Sequence, residues 1–382
     1  MINEPAASAA ISPHYPRIRV SGTSQERSRR YGSAAAPMIR IIRAGYERAF
    51  AAQGISWASA VATARSYLPA LTHHLPHLLE EIRGIATGCG LTFDEILTIN
   101  CRTEILNGAT AARGRTVHSG ECTSFALEGD RTAVRTPVIG QNWDWLECLQ
   151  SGIIVLEVER ADGQNYVTLV EAGLLAKITL TASGLAIGVN TLVCSLDGEA
   201  RGIPFHFLLR ALADADHVSG ALEILAKLPR ASSGNYLFAS ADGSVLNVET
   251  SPGDARGLTP QPSHNGAVVH TNHFLAPIAG GHDLAPAAMP DSFVRLGRIT
   301  RSIQRPSAPL EQGDLKIALA DHTGYPNSIC CHPDPTAPPE SRWKTLATVL
   351  LQPIERALTY AGGPACEQLW ESLDYSDFLK QK

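Results

Sequence analysis

The chain has 382 residues, 44% of them apolar and 18% charged, with a formal net charge of −5. That is enough for one large or two ordinary domains with a real core. It carries no basic stripe of the kind that follows a nucleic-acid backbone and no apolar run of the roughly 18–20 residues a membrane-spanning helix needs, so neither nucleic acid nor membrane is expected as a partner.

The first thirty residues hold five arginines among Pro, Ser and Ala and lack an apolar segment, which argues against a secretory signal. Residues 1–34 are read as a mobile tail on composition, although Arg and Ser with few acids leave room for a targeting peptide. A helical region follows over 35–121. Leu75, Leu78, Leu79, Ile82 and Ala86 recur at helical spacing, and Gly88-Cys89-Gly90 ends that helix. Thr92 and Glu95 form a capping box for the next one, with Leu91 and Ile96 as its hydrophobic staple.

After Gly120 the period changes. Cys122–Leu127, Pro137–Gln141, Ile153–Glu159, Tyr166–Glu171 and Leu185–Asn190 read as strands, with Asp162-Gly163 and Asp242-Gly243 as hairpin turns between such runs. Residues 204–228 return to helical spacing. Strands are expected at 235–249 and 266–271, a helix at 292–304 and a last strand pair at 343–351 and 354–360. The Pro-rich stretches 252–263 and 333–339 read as loops. Hairpins without regular βαβ alternation point to an α+β fold with mainly antiparallel sheets. No GxGxxG or Walker sequence is present, and no cofactor is expected.

The eight cysteines are scattered and never spaced CxxC, which suits a reducing compartment and hence a cytoplasmic protein. Cys330-Cys331-His332 invites a metal reading. Adjacent cysteines on a strand face opposite ways and no second ligand pair is evident, so no metal is expected.

Cys122 is the candidate nucleophile. A lone cysteine at a strand start is more often a small buried residue, so the case depends on its neighbours. A thiol nucleophile needs a base, an oxyanion donor and access. Two bases are open: a histidine, among them His270, His273 and His322, or an α-amine freed by cutting the bond between Glu121 and Cys122. An α-amine with a pKa near 7.7–8.0 suits that task. Trp143 and Trp145 are expected to face opposite ways on their strand, so that at most one lines a pocket. Arg295, in DSFVRLGR, could bind a substrate carboxylate, against the plainer reading of a surface helix arginine.

GECTSF (120–125), GQNWDW (140–145), GLAIGVNTL (184–192), HTNHF (270–274) and SICCH (328–332), in this order, resemble the acyl-coenzyme A:isopenicillin N acyltransferase family and, more distantly, the choloylglycine hydrolases and penicillin V acylases. The resemblance runs from about residue 35 to 375. These are self-processing N-terminal-nucleophile (Ntn) hydrolases. It implies a four-layer αββα sandwich with two mainly antiparallel sheets, a helical N-terminal segment over 35–121 and a core over 122–382. It implies Cys122 as nucleophile, Asp144 as the residue orienting its amine, Asn272 as oxyanion donor and Asn190 lining the site. Gln141, Trp143, Trp145 and Arg295 are the candidate substrate contacts. Gln141 stands where the more distant relatives carry arginine, and Glu121 where the fungal pattern has glycine. The implied activity is hydrolysis of a small linear amide, an N-acyl amino acid, peptide or amine, through a Cys122 thioester, with the excised N-terminal chain as partner. Acyl-CoA-dependent acyl transfer and an uncleaved ligand-binding pseudoenzyme are the alternatives, and homo-oligomerisation stays open.

Overall fold

The computed structural model describes residues 14–113, 122–199 and 201–380. Fourteen strands are found among them: β1 Arg17–Gly22, β2 Cys122–Leu127, β3 Val138–Leu146, β4 Ile153–Arg160, β5 Tyr166–Glu171, β6 Ile178–Thr181, β7 Leu185–Asn190, β8 Gly234–Ser240, β9 Val245–Thr250, β10 Leu258–Pro262, β11 Ala267–His270, β12 Trp343–Gln352, β13 Ala357–Ala361 and β14 Trp370–Asp374. They form an eight-stranded sheet, β1-β4-β5-β6-β7-β8-β9-β10, and a six-stranded sheet, β11-β2-β3-β12-β13-β14. Every pairing is antiparallel except β1 with β4.

Strand alternation builds the layers. Leu185, Ile187 and Val189 of β7, with Tyr236 and Phe238 of β8, turn outward onto helices Phe205–Leu212 and Val218–Lys227. On the other sheet Phe125, Leu127 and Val269 turn outward onto helices Asp291–Ile303 and Gln312–Leu319. The opposite faces, with Ala126, Ile139, Ala186 and Leu237, meet between the sheets. Both faces of each sheet are therefore covered, giving the αββα order expected from the sequence. Helices between Ser24 and Arg113 pack as a further body beside the larger sheet.

Local signals act as read. Thr92 accepts from the Glu95 N–H and Glu95 reaches back to the Thr92 N–H, while Gly90 ends the preceding helix at φ +73°. The two Asp-Gly turns join β4 to β5 and β8 to β9. One glycine matters for the site. Gly140 lies opposite Phe125, whose ring end would sit 2.1 Å from any Cβ there, so the aromatic side chain lies flat across β3.

Three expectations change. The tail does not extend to residue 34, because Ile18 and Val20 alternate with exposed Arg17 and Arg19 in β1, and a Thr23–Glu26 capping box starts helix Ser24–Ala34. Three of the five arginines that looked like tail charge form ion pairs: Arg17 and Arg19 with Glu157, and buried Arg27 with Glu81 and Asp162. Within 252–263, residues 258–262 form β10, an edge strand whose place at the end of the sheet tolerates prolines. β3 runs past the expected end at Gln141 to Leu146, so the whole GQNWDW stretch is strand. Among the described residues no helix is long and apolar enough to cross a membrane.

Candidate active site

Cys122 is the first residue of β2 and is 3% exposed. Its main-chain N–H donates to Asn272 Oδ1 at 2.7 Å. Its carbonyl accepts from Arg295 Nη1 at 2.9 Å and Asn190 Nδ2 at 3.2 Å. Three distant segments thus close on this residue of β2: the end of β7, the turn after β11 and helix Asp291–Ile303. Burial pushes the Cys122 thiol up to about 11, with Asp144 acting in the same direction, while Lys177 and Arg295 pull it down.

Asn272 is held by all its polar atoms. Oδ1 also accepts from Arg295 Nη2 at 3.0 Å, and Nδ2 donates to the Thr191 carbonyl at 2.9 Å. Both groups facing Oδ1 are obligate donors, which fixes the orientation of the amide. Toward the Cys122 nitrogen Asn272 presents its oxygen, and its Nδ2 is turned to Thr191. Asn190 Oδ1 accepts from Ser124 Oγ at 2.7 Å and Asn235 Nδ2 at 3.0 Å, leaving Nδ2 turned to Cys122 O.

Arg295 is neither at the surface nor open to a ligand. It is fully buried, with Nε donating to Asp291 at 2.7 Å and Nη1 also reaching Thr123 Oγ1 at 3.1 Å. Gln141 is buried too. Its side chain brackets Val189, donating to the carbonyl at 2.7 Å and accepting from the N–H at 3.0 Å, so it stitches β3 to β7 across the two sheets.

Asp144 lies on β3 beside Cys122, whose strand partner is Trp143. Its main-chain N–H faces the Cys122 thiol, and its Oδ1 accepts from Thr345 Oγ1 at 2.5 Å. Trp143 and Trp145 face the same side, not opposite sides, because residues two apart on a strand share a face. Lys177 Nζ lies 3.6 Å from the centroid of the Trp143 ring and 5.5 Å from that of Trp145.

Lys177 was not singled out in the sequence. It is buried beside Glu171, with Nζ to Oε2 at 3.4 Å. Burial lowers its pKa to about 7, against Glu171, which raises it, with Arg102 pushing it further down. Glu171 also accepts from Arg102 at 3.0 Å and Tyr46 Oη at 2.7 Å. Burial alone would raise its carboxyl, but Lys177 and Arg102 hold it down at about 2. A lone lysine inside the apolar run GLLAKITL was the available signal, since a buried lysine must have a partner.

The histidines do not serve Cys122. His270 is held by Glu249 and the Thr271 carbonyl, both at 2.8 Å, and His273 by Ser292 at 2.8 Å. His322 meets His332, with Nε2 atoms 3.1 Å apart. A cleft of about 870 Å³ opens between helices Trp57–Arg65 and Arg102–Arg113 and residues 195–199; Tyr67, Glu104 and Arg201 are among its walls, and among the described residues no candidate catalytic one lines it. Glu121 and the rest of 114–121 lie outside the described residues.

Residues 131–365 match the family described as acyl-coenzyme A:6-aminopenicillanic acid acyl-transferase. This is more than half of the chain, and the protein belongs to that family of acyl-transfer enzymes. The matched span contains Asp144, Asn190, Asn272 and Arg295 and begins after Cys122. Over 260 residues, 67% of either chain, it is 29% identical to the acyl-coenzyme A:6-aminopenicillanic-acid-acyltransferase 40 kDa form of Emericella nidulans. Among solved structures, a conjugated bile acid hydrolase mutant from Clostridium perfringens aligns with TM-score 0.43 and 12% identity over 67% of this chain and 93% of that one. A penicillin V acylase from Agrobacterium tumefaciens aligns with TM-score 0.38 and 13% identity over 68% and 88%.

Proposed function

We propose that the protein is a self-processing cysteine amidohydrolase that cleaves a small linear amide through a Cys122 thioester. The observation that carries this reading is the clamp on Cys122: nitrogen to Asn272 Oδ1, carbonyl to Arg295 and Asn190. A purely structural cysteine has no need of three buried polar side chains fixing its main chain. Such fixing is what a nucleophile at a chain start needs, because its amine must stay within reach of its own thiol.

In processing, Cys122 Sγ attacks the Glu121 carbonyl. The S–C bond forms, the C–N bond breaks and the thiol proton passes to the departing nitrogen. Water then hydrolyses the thioester, freeing the thiol and leaving a carboxylate on Glu121. The nitrogen held by Asn272 becomes an α-amine. This is the base the site requires, since a thiol pushed up to about 11 is protonated at neutral pH.

In turnover the α-amine takes the thiol proton as sulfur attacks the substrate carbonyl, and returns it to the leaving amine. Water releases the acyl group as a carboxylate. Lys177 and Arg295 supply positive charge that favours thiolate, and Asp144, one strand over, favours an ammonium on the amine. Residues 1–121 and 122–382 would stay together, because β1 pairs with β4 over six residues and the buried Arg102–Glu171 pair spans both pieces.

The family description favours a second reading, transfer of an acyl group between coenzyme A and an amine. The intact mass of denatured protein, wild type beside Cys122→Ala, tests the common step. Two fragments in the wild type, one starting at Cys122, and one full-length chain in the variant are expected. One uncut chain in both would overturn the mechanism and favour a ligand-binding pseudoenzyme. Hydrolysis of N-acyl amides against acyl-CoA-dependent exchange then separates the two reactions.

A further inference from the structure

His322, Cys330, His332 and Cys366 converge although one of them stands far from the others in the chain. All four ligating atoms lie within 4.8 Å of one another. His332 Nε2 is the hub, 3.1 Å from His322 Nε2, 3.7 Å from Cys330 Sγ and 3.4 Å from Cys366 Sγ; the two sulfurs are 3.6 Å apart. A tetrahedral zinc ion, with Zn–S about 2.3 Å and Zn–N about 2.0–2.1 Å, sets edges of about 3.8 Å between sulfurs, about 3.3 Å between nitrogens and about 3.5 Å between nitrogen and sulfur. The four distances among His332, His322, Cys330 and Cys366 just given follow that pattern, and the two from His322 to the sulfurs lie within 4.8 Å. A disulfide does not fit them, since its sulfurs stand about 2.05 Å apart.

The surroundings also orient the donors. His332 Nδ1 lies 3.0 Å from Glu367 Oε1, the residue after Cys366. A carboxylate on Nδ1 keeps the proton there and turns the lone pair of Nε2 toward the other three donors, the arrangement usual around a zinc-bound histidine. Cys330 and His332 are two apart and turn to one side, while Cys331 between them donates its N–H to Thr345 Oγ1 at 3.0 Å and accepts from the Thr345 N–H at 3.0 Å. The Cys330 N–H bonds the Asp321 carbonyl at 3.0 Å and the His332 N–H bonds Pro326 at 3.0 Å, so the loop that presents three donors is closed on itself. No second ligand pair is evident in the sequence because His322 and Cys366 lie outside the SICCH motif, and only the packing of the 320–332 loop against the segment after β13 supplies them.

We propose that these four residues form a Cys2His2 structural zinc site. Two thiolates neutralise the ion, and four protein donors leave no open position, which marks a structural rather than a catalytic centre. The site ties the 320–332 loop to the turn after β13. Through Cys331 it also braces Thr345, whose hydroxyl donates to Asp144. Binding requires both thiols to lose their protons, so uptake releases protons and weakens as pH falls.

The test is elemental analysis of tag-free protein purified without chelator, in the wild type and in Cys122→Ala, so that the result is independent of the proposed reaction. About one zinc per chain that survives dialysis is expected in both. His322→Ala and Cys366→Ala, at the two exposed donors, should lose it, whereas Cys330→Ser risks the fold. Co(II) added to metal-stripped wild type should give the visible bands of a tetrahedral thiolate complex, absent in Cys366→Ala. Chelator should lower the Tm of the wild type and leave that of Cys366→Ala unchanged. Substoichiometric metal lost on dialysis with no Co(II) spectrum, or a Cys330–Cys366 disulfide found by peptide mapping, overturns the proposal.

Discussion

The main-chain nitrogen of Cys122 and the side-chain oxygen of Asn272 meet at 2.7 Å, and Arg295 grips both residues, by the Cys122 carbonyl and by the same Asn272 oxygen. Asn272→Leu removes the acceptor for two buried donors. Unsatisfied buried donors cost about 1–3 kcal/mol each, so a lower denaturation midpoint is expected together with slower self-cleavage. Asn272→Asp keeps the acceptor and should restore stability more than it restores turnover. Denaturant melts and a cleavage time course on the two variants check this; equal cleavage in wild type and Asn272→Leu would remove Asn272 from the mechanism.

Lys177 gives the fold a pH dependence whose sign follows from its depressed pKa. Between about 7, its folded value, and its ordinary value of 10.5, the unfolded chain holds the proton and the folded one does not. The Lys177 contribution to stability therefore rises with pH across that window, by up to about 1.4 kcal/mol per pH unit. Lys177→Met should lose this rise. Urea unfolding of wild type and variant at pH 7 and pH 9 measures the difference, and parallel curves would mean the ammonium is not buried as described.

Glu171 acts in the same direction, stability rising with pH, but in an acid window. Its folded carboxyl is held at about 2 against an ordinary 4.5, so its stabilisation is complete above 4.5 and is lost as pH falls through about 2. Glu171→Gln leaves Arg102 and Lys177 buried against each other. Removing one member of a buried ion pair costs about 3–5 kcal/mol, and that loss should be largest near neutral pH and shrink in acid. Calorimetry at pH 7 and pH 3 checks it.

Gly140→Ala places a methyl group where the Phe125 ring end lies, 2.1 Å away. Overpacking of this kind costs about 1–3 kcal/mol. Because Phe125 and Cys122 share β2, the variant should also slow self-cleavage, and Phe125→Leu beside it should recover both losses. A double-mutant cycle on thermal stability is the measurement.

Much of this protein could be read along the chain. The Thr92–Glu95 box, the two Asp-Gly hairpins and the strand Cys122–Leu127 involve groups within a few residues of one another, and all appear in the structure as expected. The motif order was equally legible, and the family match agrees with it. The first β-strand was missed because two buried residues between arginines are a weak signal until β4 is there to pair with them. Which atom a side chain turns toward its neighbours was not legible in the sequence. Gln141 and Asn272 were picked out by motif and Arg295 by its helix, but which of their atoms meets which neighbour follows from partners on other strands and helices.

The sequence by itself determined the period of each segment and where nearly every turn falls, because these follow from hydrogen bonds and side-chain spacing between near neighbours. Only the tertiary structure decided which charges meet in the dark. Lys177 with Glu171 and Arg102, and His322, Cys330 and His332 with Cys366, are brought together by the packing of whole layers. Inside a low-dielectric core the proximity of such groups, more than their identity, sets whether a lysine keeps its proton and whether thiols and imidazoles can share one ion.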